Sequence, residues 1–268
     1  MNNSTDLIIE EGILKKYKGN KENVVIPEGI TDIQEAAFID CSNLKSVVFP
    51  KSLKRIESMA FLSENPLSIF IPAGVQEIGV NAFFGAGVSN IEVDSGNTVY
   101  HSSDGCLIET KSKTLMICCD YNKIPADGTV EIIGSSAFGK ILELPDASAS
   151  SLVIPNGIKV IQDSAFWFAN IKKVVLPDTL SVIGANAFMD CHELESITIP
   201  AGVKKIGDSA FDDDWKLHSV KVLSIDVEFG DNVFADCDDL VIFAPTGSTA
   251  EKYAEKYGIQ FEACDLPN

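Results

Sequence analysis

No run of about eighteen uninterrupted apolar residues occurs in the 268-residue chain, which removes a membrane-spanning helix from consideration. Basic residues are scarce: 21 Lys and Arg stand against 39 Asp and Glu, a formal charge of −18. Lys/Arg clusters go no further than pairs such as Lys15-Lys16 and Lys172-Lys173. A surface of that sign repels phosphate backbones and anionic lipid, so no nucleic-acid partner is expected. Histidine is rarer still, and none of His101, His192 and His218 is accompanied by a Gly-x-Ser-x-Gly elbow or a nucleophile-and-base context. A phosphate-binding glycine loop is missing too. These absences exclude the common enzyme classes, and no cofactor is expected.

There is no CxxC pair, Cys118 and Cys119 are adjacent in sequence and poorly placed to ligate one zinc, and the total of seven cysteines is odd. A chain of this size with 46% apolar residues does not need staples to fold. The redox state of Cys106, Cys118 and Cys119 stays open at this point. The start, MNNSTDLIIEEG, lacks both basic residues and the apolar core of a secretory signal, so the expectation is either a cytoplasmic chain or one from which a leader has been removed.

What the sequence does have is a period. Prolines 27, 50 and 72 are separated by 23 and 22 residues, and prolines 155, 177 and 200 by 22 and 23. Counting from each proline, an apolar residue stands at +3, an Ile at +6, and Ala-Phe at +10 and +11. The Ala-Phe pairs end at Phe38, Phe61, Phe83, Phe138, Phe166, Phe188 and Phe211, with Val233-Phe234 as a degraded copy. One position thus uses about half of the fifteen phenylalanines, which predicts a buried spine of rings stacked coil on coil.

The segment before each proline, such as SVVFP, SLVIP or SITIP, is short, β-branched and alternating, so it predicts a strand that the proline ends by withholding an N–H. Pro-x-Gly then suggests a type I turn with Pro at i+1, followed by an extended return and a helical turn ending at Ala-Phe. Leu7 to Asn20 reads as a hairpin capping the first coil. Gly247 to Gly258 reads as a helix closing the last, with Ser248 or Thr249 as N-cap. Two places break the period. Between Phe83 and Phe138 about 32 residues are extra, and Val99 to Cys119 within them looks like a hairpin turning near Lys111–Lys113. The Ala/Ser-rich stretch ELPDASAS, beginning at Glu143, reads as a surface bulge. The expected organisation is a cap over 1–23, a solenoid over 24–245 with an insert at about 94–127, and a C-terminal cap over 246–268.

The repeated unit, with LKSVVFPKSLKRIESMAF (Leu44 to Phe61) a good single copy, resembles the leucine-rich repeat superfamily and most closely its BspA-like (Treponema-type) class. That resemblance implies an α/β repeat solenoid: a right-handed array of about nine coils with short parallel strands on one face and short helical turns or irregular segments on the other. It places Cys41, Cys191 and Cys237, three residues after a repeat Phe, as buried core thiols. It also implies a domain complete within these residues, and a non-catalytic, adhesin-like module of bacterial secreted or cell-surface proteins that binds host or microbial macromolecules, protein or glycoprotein. A carbohydrate-binding module and an intracellular scaffold are the competing expectations. The closing DLPN stops short of a sortase-type LPxTG signal, so the sequence gives wall anchoring no support.

Function is then expected in the letters that vary. Outward strand positions form one column of Asn23, Ser46, Ser68, Asn90, Ser151, Lys173, Ser196 and Ser219, and a second of Val25, Val48, Phe70, Glu92, Val153, Val175, Thr198 and Lys221. On the inner arc of a curved solenoid, Ser46, Val48, Ser68, Phe70, Val153, Lys173, Val175, Thr198 and Lys221 would make a weakly charged docking strip; equally, β-branched residues simply suit strands. Two residues after successive repeat phenylalanines stand Asp190, Asp213 and Asp236. They form either a solvated acidic ridge or a Ca²⁺ site built from stacked carboxylates. Phe70, Trp167 and Trp215 are the candidate sugar platforms, expected on different faces and coils.

Overall fold

The computed structural model describes residues 6–61, 66–84, 87–120, 123–138 and 151–265; the stretch ELPDASAS lies outside them. The chain forms two compact units, one up to Lys123 and one from Ile124 onward, each a parallel β-solenoid.

In the first unit the strands Asn23–Val25, Ser46–Val48, Pro66–Ile71 and Gly87–Val93 pair in parallel in that order. Their burial alternates because successive side chains leave a strand on opposite faces: Val24, Val47, Ile69 and Ile91 are buried, while Val25, Val48, Phe70 and Glu92 face water. In the second unit Ser151–Val153, Lys173–Val175, Ser196–Ile199, Ser219–Val222, Val241–Ala244 and Gln260–Ala263 pair in the same way.

The Ile at +6 from each proline does more than return the chain. Asp32–Ile33, Arg55–Ile56 and Glu77–Ile78 form a second, narrow parallel ladder in the first unit. Ile132–Ile133, Val160–Ile161, Val182–Ile183, Lys205–Ile206 and Glu228–Phe229 do so in the second. The turn after the strand also differs from the sequence expectation. The Pro155 carbonyl accepts from the Ile158 N–H at 3.4 Å and the Pro200 carbonyl from Val203 at 3.1 Å, so proline is residue i rather than i+1. Gly157 then sits at i+2 with φ +101°, where a type II turn needs the left-handed region.

The phenylalanine spine is present in both units. Ring centroids are 4.6 Å apart for Phe38–Phe61 and 5.3 Å for Phe61–Phe83. In the second unit they are 5.0, 5.0, 5.2 and 5.5 Å apart along Phe138, Phe166, Phe188, Phe211 and Phe234, all stacked within 18°. Each such pair contributes about 0.5–1.5 kcal/mol beyond burial. The coil-to-coil amide bond falls at the same place: Phe61 N–H donates to Ala82 at 2.8 Å and Phe188 N–H to Ala210 at 2.8 Å. To bring the ring inward the backbone turns left-handed on both sides of it. It does so two residues before, at Asn81, Asn186 and Asn232 among others, and two residues after, at Asp40, Asp190, Asp213 and Asp236. Asn and Asp tolerate that region best among side-chain-bearing residues.

The stacks end on tyrosines. Tyr17, from the antiparallel hairpin of Leu7–Glu10 and Ile13–Tyr17, lies 5.6 Å from Phe38, and Tyr253 lies edge-on to Phe234 at 5.9 Å. Tyr253 belongs to the helix Thr249–Tyr257, which Ser248 caps by accepting from the Glu251 N–H and Gly258 ends at φ +70°. The insert holds three antiparallel strands rather than two, because Asp104-Gly105 turn the chain once more: Tyr100–Ser103, Cys106–Glu109 and Thr114–Cys118.

Candidate functional site

The strand register gathers the outward positions into columns, but within each unit separately. Ser46, Val48, Ser68 and Phe70 lie on the first unit's face, with Ser46 opposite Asn23 and Ser68, and Val48 opposite Val25. Val153, Lys173, Val175, Thr198 and Lys221 lie on the second unit's face, with Lys173 between Ser151 and Ser196, and Val153 opposite Val175. Val48 is 55% exposed, Phe70 49% and Val153 60%, on the face that strand alternation turns to water. The first column is polar, and within it Ser46 Oγ donates to Asn23 Oδ1 at 2.6 Å. On the second face a shallow pocket of about 390 Å³ opens beside Lys173, Thr198 and Lys221, and also takes in Phe243 and Cys264. Phe243 continues the Thr198–Lys221 column one coil on. Its strand, VIFA, ends at Pro245 like the others, and that was the available signal for including it.

The other cluster lies on the corner that follows the spine. Asp190 and Asp213 come together there, but the third member of the group is His192 and not Asp236, which lines a separate depression with Tyr253 and Tyr257. His192 Nε2 is 3.5 Å from Asp190 Oδ1 and 3.7 Å from Asp213 Oδ2. Asp190 is buried and its other oxygen accepts from Trp167 Nε1 at 2.8 Å. Burial raises the Asp190 carboxyl above the usual carboxylate range, the Trp167 bond opposes that, and neighbouring Asp213 adds to it.

Trp167 and Trp215 share this corner instead of occupying different faces. Trp215 packs on the His192 ring at 4.4 Å and donates its indole N–H to the His192 carbonyl at 3.0 Å, while Phe168 meets the ring edge-on at 6.0 Å. The near-integral coil period brings them together: Trp167 and Phe168, one and two residues beyond Phe166, meet Asp190 and His192, two and four beyond Phe188, and His192 in turn stacks on Trp215, four beyond Phe211. Phe168 occupies a left-handed position, φ +59°, that other coils fill with Asp; for a bulky residue this is a costly conformation.

One position further in, coils bury Cys41, Ala169, Cys191 and Cys237, and at the same place Asp214, which is fully buried. Its Oδ1 accepts from the Cys191 N–H at 2.7 Å, and its Oδ2 has no hydrogen-bond partner among the described residues. Burial, with help from Asp190, Asp213 and Asp212, pushes its pKa up to about 9. In the insert, Cys106 and Cys118 face each other across two strands and form a disulfide.

The sequence matches the family model described as BspA type Leucine rich repeat region, in six copies over residues 8–127 and 108–241. No curated protein matches it. Among solved structures, a leucine rich cell surface protein from Faecalibacterium prausnitzii A2-165 is similar at TM-score 0.70 and 26% identity, over 87% of this chain and 62% of its own, so the chain spans less than two thirds of that protein. The pneumococcal vaccine antigen PcpA is similar at TM-score 0.71 and 21% identity, over 91% of this chain and 68% of its own. A leucine-rich repeat protein from Eubacterium ventriosum ATCC 27560 follows at 0.57 and 18%, over 86% and 77%. At those last two identities the likeness is one of fold.

Proposed function

The chain belongs to the BspA-type leucine-rich repeat family, and from that premise we propose that it is a non-catalytic, adhesin-like module of a bacterial surface or secreted protein that holds a protein or glycoprotein ligand against its strand faces. Leucine-rich repeat proteins generally bind proteins and are typically non-catalytic. Among the described residues no helix is long and apolar enough to cross a membrane.

The observation that carries the reading is the outward column itself. Val25, Val48 and Phe70 on one face, and Val153 and Val175 on the other, stay exposed at strand positions where Thr or Lys would satisfy both strand geometry and solvent. Apolar side chains held in a row on a rigid ladder lose little entropy when covered, which suits them to docking. An extracellular setting is supported by the Cys106–Cys118 disulfide, since cytosolic thiols are kept reduced.

Pull-down from host and bacterial extracts should capture a partner, and Val48→Asp with Phe70→Asp, or Val175→Asp, should abolish the capture. Retention by both variants would remove the strand faces from consideration. The carbohydrate reading is favoured by a different observation, the exposed Trp215 and Phe168 on one corner. Glycan-array binding lost in Trp215→Ala but kept in the strand-face variants would establish it instead.

A further inference from the structure

The His192 imidazole holds one nitrogen between two carboxylates and away from water. Nε2 is shielded from solvent and makes no hydrogen bond to any described residue, although two carboxylate oxygens stand 3.5 and 3.7 Å away. Those separations are long for hydrogen bonds and match a different geometry: two donors each about 2.1 Å from one ion at the tetrahedral angle lie about 3.4 Å apart. All three donor atoms fall within 4.8 Å of one another.

The surroundings hold the donors in place. Trp167 ties up Asp190 Oδ2 at 2.8 Å and leaves Oδ1 turned to the cluster. Trp215 and Phe168 clamp the imidazole from two sides, and the Trp215 indole bond to the His192 carbonyl fixes the backbone beneath it. Outer hydrogen bonds and packing of this kind are what orient metal ligands.

We propose that Asp190, His192 and Asp213 form a binding site for a borderline transition-metal dication such as Zn²⁺, with a coordination position left open to solvent beside the half-exposed Asp213. One nitrogen and two carboxylates suit such an ion. They do not suit Ca²⁺, which takes six to eight oxygens. The reading goes beyond ligand binding at the strand faces and does not depend on it.

The test uses the fact that both tryptophans of the chain touch the site. Titration of the full chain with Ni²⁺ or Cu²⁺ should quench tryptophan fluorescence saturably at one ion per chain, reversibly with EDTA, and Zn²⁺ should compete and raise Tm. His192→Ala and Asp213→Asn should each abolish the saturable quench, whereas His218→Ala and Asp236→Asn should leave it intact. Asp213 is half-exposed, so its variant keeps the test valid should the histidine variant unfold. No saturable quench by Ni²⁺ or Cu²⁺, or a quench that survives in folded Asp213→Asn, overturns the proposal. Loss in Asp236→Asn together with a Ca²⁺-induced rise in Tm would overturn it in favour of a calcium ridge.

Discussion

Asp214 occupies a place in the core that other coils give to Ala or Cys, and no cationic side chain of the described residues is paired with it. Cys191 lies on the coil before it and Cys237 on the coil after, while Asp190, Asp212 and Asp213 face it with charge of its own sign. The folded chain therefore keeps this proton up to about pH 9, whereas an unfolded Asp releases it near pH 4. Stability falls as pH rises across that window, by up to about 1.4 kcal/mol per pH unit, because the unfolded state gives up a proton the native state must retain. Asp214→Asn keeps an acceptor for the Cys191 N–H and has no proton to lose. In chelator-treated protein its Tm should be nearly flat between pH 5 and 8, where the parent declines. A decline of equal slope in both would mean that the burial of Asp214 does not govern the effect.

Among elements, the coil is the one whose physics the sequence displays most openly. Pro, Ile and Ala-Phe recur because each meets the same neighbours above and below, so periodicity alone identifies the core, the strands and the ring stack. Glycine at position four before the spine Phe adds a constraint of the same kind. A Cβ on Gly207 would come within 2.8 Å of the Ala185 Cα, and this is backbone that cannot rotate away. Gly207→Ala should cost about 1–3 kcal/mol by chemical denaturation, with m unchanged. An unaffected midpoint would show that the coils can slide apart.

The candidate metal-ligating corner is only half legible in the sequence. Asp190 and Asp213 are visible as an aspartate column. His192 is not, because its meeting with them depends on the two left-handed corners around each Phe, which set where position +4 of one coil falls against position +2 of the next. The turn type is hidden for a similar reason: Pro-x-Gly fits two turns, and only the hydrogen bond to Ile158 tells them apart. The insert's third strand hangs on a single signal, the Asp104-Gly105 hairpin turn, which the more conspicuous lysine-rich turn at Lys111–Lys113 obscures. Its disulfide closes a short loop, twelve residues apart in sequence, and should contribute about 2–4 kcal/mol to that hairpin. Limited proteolysis should cut between Cys106 and Cys118 faster in Cys106→Ser/Cys118→Ser than in the parent; equal rates would show that the strands hold without it.

Over the molecule as a whole, repulsion between like charges prevails. A formal charge of −18 repels itself in the folded state, and the ion pairs on its surface, such as Lys45–Glu22 and Lys216–Glu193, are exposed and individually weak. Salt should therefore stabilise: Tm should rise between about 10 mM and 150 mM NaCl as the screening length falls from roughly 30 to 8 Å. A drop would mean that the surface pairs outweigh the repulsion.

Tyr17 and Tyr253 stand at the ends of their ring stacks as end groups stand on a polymer. Phe61, Phe166, Phe188 and Phe211 each see a phenylalanine on either side, so the interior units are interchangeable while the termini are not. A gene encoding such a chain can lengthen or shorten by duplication of a 22- or 23-residue segment, and the folding problem at each end stays the same. The number of coils, and with it the number of outward residues offered to a ligand, is free to drift, while each tyrosine marks the last ring of its stack.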